Sequence, residues 1–162
     1  MKKKTFVING RSGVGKDSLI AFAGQKYSVR NFSSVDRVKE AAMLLGWDGV
    51  KDDQGRQFLV EIKDASVKYN DLPLQWIVEQ HEDFEKSGDD MLFVHIREPK
   101  EIQKMKTKIP QTKTILVTRQ METVTDSKKD DLVTDYDYDY TFANDKPLDE
   151  SGKDFVELIE RA

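Results

Sequence analysis

Short runs of wholly apolar residues alternate along this chain with longer stretches in which apolar positions recur every three or four places. Thr5-Phe6-Val7-Ile8-Asn9 carries no polar alternation, so the strand it predicts must be covered on both faces; it ends at a glycine. Met91-Leu92-Phe93-Val94-His95-Ile96 has the same character. Thr114-Ile115-Leu116-Val117 and Tyr140-Thr141-Phe142-Ala143 predict two further strands, and Val29-Arg30-Asn31-Phe32 a short fifth. Between them lie helical spacings. Residues 16–26 place Leu19, Ile20, Phe22 and Ala23 on one stripe. Residues 34–45 predict a second amphipathic helix, with Ser34 and Asp36 as start signals and Gly46 just past its end. Helices are also predicted over 54–70 and 74–86, split by Asp71-Leu72-Pro73, then after Pro99 and around Val156–Ile159.

Buried strands separated by helices imply a parallel sheet with helices on both faces, a three-layer α/β fold of about five strands. The 162 residues suit one domain, and neither an internal repeat nor a Pro/Gly/Ser-rich linker divides them. The segment from Arg119 to Tyr138 is highly charged and has no clear period, which predicts a loop or short helices rather than core.

Composition narrows the picture. The net charge of −4, from 26 basic against 30 acidic side chains, argues against a non-specific nucleic-acid binder, which needs a basic face. The absence of cysteine excludes a disulfide scaffold, a thiol nucleophile and a Cys-ligated metal, and suits a reducing cytoplasm. No apolar run approaches the ~18–20 residues of a membrane span. Met1-Lys2-Lys3-Lys4 is followed only by Phe6-Val7-Ile8, so it reads as a solubilising start before the first strand rather than a signal peptide.

Ligands of such sheets sit beyond the carboxyl ends of the strands. Directly after the first strand stands Gly10-Arg11-Ser12-Gly13-Val14-Gly15-Lys16-Asp17-Ser18, the G-x-x-x-x-G-K pattern of a phosphate-binding loop. Glycines let the backbone curl so that successive N–H groups, from Gly10 and Ser12 through Gly13, Val14 and Gly15, point into one hollow. The helix that follows adds its positive end. Lys16 can reach the β- and γ-phosphates of a nucleotide and neutralise charge during transfer. The strand before the motif and the amphipathic helix after it are the context that separates such a loop from an ordinary Gly-rich turn. Asp17 stands where Ser or Thr is usual. It offers Mg²⁺ a carboxylate, and Ser18 a hydroxyl one place later, leaving open which oxygen organises the metal.

The G-K-D-S end of the loop resembles that of P-loop nucleoside monophosphate kinases, the phage-type deoxynucleoside monophosphate kinases in particular. Further segments are similar in the same order: Asp36-Arg37-Val38-Lys39, Gly46-Trp47-Asp48 with Lys51-Asp52 and Gly55-Arg56, Arg97-Glu98-Pro99-Lys100-Glu101, and Asp139-Tyr140-Thr141-Phe142-Ala143-Asn144-Asp145. The resemblance implies a nucleotide-kinase fold and Mg²⁺- and ATP-dependent phosphorylation of a nucleoside or deoxynucleoside monophosphate. It implies an acceptor-binding helical region over about 34–88, where Asp36 and Lys39 meet the acceptor. It implies a lid over 119–138 from which Arg119 contacts the phosphates, and it sets Asn144 beside the adenine.

The residues add their own reading. A kinase of this kind must hold a second phosphorylated molecule in line with the γ-phosphate, a task suited to arginine's bidentate geometry. Arg97, just past a central strand, is the leading candidate, with Glu101 one turn on to orient it; Arg56, in a polar loop before a helix, is the second. Trp47 reads as stacking on a base or as packing. Two features depart from the family. His95 stands where it often has an acid, and reads as a hydrogen-bonded end-of-strand residue; Arg119 is the single arginine between Thr118 and Ala143, with Lys128 and Lys129 as substitutes. Two alternatives stand beside this reading: a P-loop kinase for another small molecule, such as dephospho-coenzyme A, and a non-catalytic ATP-binding regulatory module. A GTPase-type switch is disfavoured, because no Asn-Lys-x-Asp signature follows a strand.

Overall fold

A computed structural model describes residues 2–120 and 132–162. Five strands, β1 (Lys4–Asn9), β2 (Val29–Ser33), β3 (Met91–His95), β4 (Lys113–Thr118) and β5 (Tyr140–Ala143), form one sheet. Their order is β2-β3-β1-β4-β5, and every neighbouring pair is parallel. Among the described residues, six α-helices surround them: α1 (Lys16–Ala23), α2 (Asp36–Leu44), α3 (Asp53–Tyr69), α4 (Leu72–Lys86), α5 (Pro99–Lys108) and α6 (Leu148–Arg161). Among the described residues, no helix is long and apolar enough to cross a membrane.

The two-sided strands sort their side chains by parity. Phe6 and Ile8 of β1, with Met91 and Phe93 of β3, face α1 and α6, where Leu19, Ile20, Phe155 and Ile159 close one core. Val7, Leu92 and Val94 face the other way, against Ile77 and Phe84 of α4 and Ile102 and Met105 of α5. The Phe6 and Phe93 rings stack across β1 and β3 at 5.1 Å. Helices α2 and α3 pack on each other and on α4. The chain leaves β1 toward β2 on one side and passes from β3 to β4 on the other, which puts the end of β1 at the crevice of the sheet.

The sequence reading of the elements needs several corrections. α1 stops at Ala23, because Gly24 begins a tight turn in which the N–H groups of Gln25 and Lys26 bond Phe22 and Ala23. α2 starts at Asp36, not Ser34: the Asp36 carboxylate reaches back to the Ser33 N–H at 3.0 Å, while the Ser34 N–H is taken by the His95 carbonyl. Gly46 does end α2, at φ 103°, with Trp47 and Gly46 N–H groups bonding the Ala42 and Met43 carbonyls in a Schellman turn. α4 begins at Leu72, since Pro73 fits a first turn, and α6 runs the full span Leu148–Arg161.

Two expectations change more deeply. The N-terminal lysines are not merely solubilising. The Lys3 ammonium donates to the carbonyls of Phe84, Ser87 and Asp89 at 2.7–2.8 Å, and Lys4 donates to those of Ile159 and Glu160, so they cap the carboxyl ends of α4 and α6. Of the charged segment, residues 121–131, including Lys128 and Lys129, lie outside the described residues. Its end is tied to the core: Val133 is buried in a 3₁₀ turn (Leu132–Thr134), and Tyr136 and Tyr138 pack against the α4/α5 side.

Candidate active site

The loop between β1 and α1 is shaped by close contacts. A side chain on Gly10 would stand 2.6 Å from the Val117 carbonyl of β4, so only glycine lets the loop leave the sheet there. Val14, 1% exposed, drops its side chain into the core and pins the loop's middle. Gly15 takes φ 91°, which an L side chain resists, and a Cβ there would meet the Asn144 amide at 2.5 Å. That amide, buried just after β5, donates to the Val14 carbonyl at 2.7 Å and braces the loop from below. No side chain caps α1 at Gly15, so the helix directs its positive end into the hollow. The Lys16 ammonium arches over the loop, donating to the Gly10 carbonyl at 2.6 Å and the Arg11 carbonyl at 3.3 Å.

The loop forms one wall of a cleft of about 1080 Å³. Ser12, Gly13, Val14, Gly15, Lys16, Asp17 and Ser18 line this wall; Asp36, Lys39, Arg56, Arg97, Glu101 and Arg119 line the rest. The fold thus gathers candidates taken from five separate stretches of the sequence. Gly10 and Asn144 support the loop from outside this lining. Seven cationic side chains face four carboxylates here, although the chain as a whole is acidic. Val35, Val38, Leu59, Val60 and Ile96 give the half opposite the loop an apolar wall. That combination takes a molecule with a flat or apolar body and an anionic end.

Individual side chains differ in their surroundings. Burial, reinforced by Lys51, holds the Lys39 ammonium below its usual pKa; Asp36 opposes this and Arg97 adds to it. Arg56 lies on the first turn of α3, not in a loop before a helix, because Asp52 caps the helix through the Gly55 N–H at 2.7 Å. Arg97 is exposed to the cleft while its carbonyl accepts from Asn9. Glu101 is nearly buried and pairs with Lys104 at 3.0 Å, which also binds Asp71. Arg119 follows β4 at the cleft's edge, and the next residue, Gln120, donates its N–H to the Asp145 carboxylate. Trp47 closes the α2–α3 turn by donating to the Val50 carbonyl at 3.1 Å, which is the packing role.

His95 is hydrogen-bonded, as expected of an end-of-strand histidine: its Nε2 lies 2.7 Å from Asn31 Oδ1 on β2. It also lines the cleft with Nε2 3.5 Å from the Asp17 carboxylate. Burial lowers its pKa against the pull of Asp17, so the ring is neutral at pH 7. The sequence reading missed Lys51, Lys63, Asn31 and Asn9. Lys63, on α3, pairs with Glu98 at the head of α5 and joins the helical region to the sheet edge. For the lysines nothing local distinguishes them from surface charge; Asn9, a polar residue ending an apolar strand, carried a readable signal.

No protein-family model matches this chain, and no curated protein matches it. Solved structures do. The chain is similar to a sugar kinase from Janibacter sp. HTCC2649 (TM-score 0.60, 9% identity, 99% of this chain and 96% of that one). It is similar to a gluconokinase from Sinorhizobium meliloti 1021 (TM-score 0.55, 13% identity, 98% and 92%). It is also similar to the shikimate kinase of Aquifex aeolicus (TM-score 0.51, 10% identity, 96% of each). The chain therefore shares its fold with these three kinases over nearly its whole length.

Proposed function

We propose that this P-loop fold is a phosphotransferase that moves the γ-phosphoryl group of ATP to a nucleoside or deoxynucleoside monophosphate. One observation carries the reading: a phosphate-binding loop and a second set of cations, Lys39, Lys51, Arg56 and Arg97, face each other across one cleft. Loop N–H groups and Lys16 bind the donor's β- and γ-phosphates, and Arg97 with Arg56 holds the acceptor phosphate in line. Asp36 and Lys39 meet the acceptor's remainder against the apolar wall of Val38 and Leu59. Arg119, at the cleft's rim, adds charge neutralisation from the side of the segment read as a lid. No protein base is needed, because the attacking phosphate oxygen is already anionic.

The donor set fits Mg²⁺. Asp17 Oδ1 opens into the cleft on a side chain 86% exposed, with Ser18 beside it, and hard oxygens of this kind suit the ion. Bound with ATP, Mg²⁺ would supply neutralisation between the β- and γ-phosphates. Asp17 and Ser18 are the residues that would hold it.

A second reading is favoured by the fold neighbours, whose names include sugar kinase, gluconokinase and shikimate kinase: an acceptor bearing a hydroxyl. Incubation with Mg-ATP and each common ribo- and deoxyribonucleoside monophosphate, alongside gluconate, shikimate and dephospho-coenzyme A, separates the two. Formation of a diphosphate supports the first reading. Turnover of a hydroxyl acceptor alone replaces it, and ATP binding without transfer to any acceptor leaves a regulatory module.

A further inference from the structure

Asn9, the last residue of β1, is 1% exposed, and every polar group of its side chain is committed. Its Oδ1 accepts from the Gly10 N–H at 2.9 Å. Its Nδ2 donates to the Arg97 carbonyl at 3.1 Å and to the Tyr138 hydroxyl at 2.8 Å. That hydroxyl in turn donates to the carbonyl of buried Val133 at 2.6 Å. The partners fix the direction of the amide. A backbone N–H only donates and a backbone carbonyl only accepts, so the group stands one way round. One buried side chain therefore joins the first residue of the phosphate-binding loop, the backbone of Arg97 and the chain returning to β5. Phe6, Val7 and Ile8 before it are apolar and fully buried; a valine would pack at the strand's end without the desolvation that an amide incurs.

We propose that Asn9 is a positioning residue for phosphoryl transfer, setting the distance between the donor loop and Arg97, and that the Tyr138 hydroxyl, itself bonded to the Val133 carbonyl, holds the amide where it reaches both. The inference rests on the kinase reading above. In-line transfer requires donor and acceptor to be held within a fraction of an ångström. Gly10 and Arg97 are the points where the two binding segments leave adjacent strands, β1 and β3. Asn9 bonds to both.

Tyr138→Phe tests this while keeping the ring and its edge contact with Tyr136. The expected result is a kcat lowered about tenfold, with the KM for ATP and the melting temperature near those of the unmodified protein. The amide resonances of Gly10 and Arg97 should shift. Asn9→Asp keeps the acceptor for Gly10 but turns a second acceptor on the Arg97 carbonyl; its kcat falls further, and the two losses do not add. Tyr27→Phe, at the distant Glu160 contact, serves as the control with unchanged kcat. If the protein turns over a phosphate acceptor and Tyr138→Phe keeps full kcat, positioning by Asn9 is overturned while the kinase reading stands. If the unmodified protein transfers phosphate to no acceptor, the kinase reading falls and the inference with it. Should Asn9→Asp fail to fold, Tyr138→Phe alone decides.

Discussion

Lys16 was legible as a candidate phosphate ligand because its spacing from Gly10 and Gly15 is set by local loop chemistry. Lys16→Ala is expected to lower phosphoryl transfer by about 10²–10³-fold, with the circular dichroism spectrum retained, since the ammonium's bonds to the Gly10 and Arg11 carbonyls lie within the loop. Asn144 shows the opposite case. The resemblance set it beside the adenine; the fold uses its amide under Val14, a contact no spacing in the sequence could reveal, because 130 positions separate the partners. His81 illustrates how burial decides protonation. Its pKa is lowered from 6.5 by burial, which outweighs the nearby carboxylates of Glu85 and Glu82. The unfolded chain therefore binds this proton more readily than the native one. The contribution to stability is complete above pH 6.5 and is lost as the pH falls through the lower native value. Denaturant midpoints measured from pH 8 to 5 should fall on the acid side, and His81→Gln should flatten that slope.

At the level of elements, the largely apolar segments identified four of the described strands, with mixed Val29–Phe32 read as a short fifth, and the helical spacings every described α-helix, because both patterns record which faces are covered. Helix ends were read less well. A start or stop depends on which group satisfies the terminal N–H and C=O, and the partner is often remote. Lys3 is the clearest instance: all three of its ammonium donors serve carbonyls at the end of α4 and beyond, and it lies 4.4 Å from the centre of the Phe84 ring. Lys3→Ala should lower stability by ~1–2 kcal/mol, read by urea titration. A purely solubilising lysine would leave the midpoint where it was. Asp71, by contrast, was visible as an interruption, and it takes φ 52° at the head of α4.

For the molecule as a whole, the charge distribution matters more than the total. The chain is acidic, yet its cleft holds more cations than carboxylates, so the field there favours anions against the overall sign. With kinase substrates, raising ionic strength toward and beyond ~0.15 M should increase the KM for the acceptor while kcat changes little. A KM indifferent to salt would remove the cleft's field from the account. Taken alone, the sequence determined the α/β class, the strand–loop–helix unit at Gly10–Ser18 and most of the cationic candidates, since each depends on residues close together in the chain. Tertiary structure alone decided the strand order, the meeting of Lys16 with Lys39, Arg56 and Arg97 in one cleft, the bracing of the loop by Asn144, and the linkage of Gly10 to Arg97 through Asn9. Those features depend on which distant strand ends become neighbours, and hydrophobic periodicity records that a face is buried without recording what covers it.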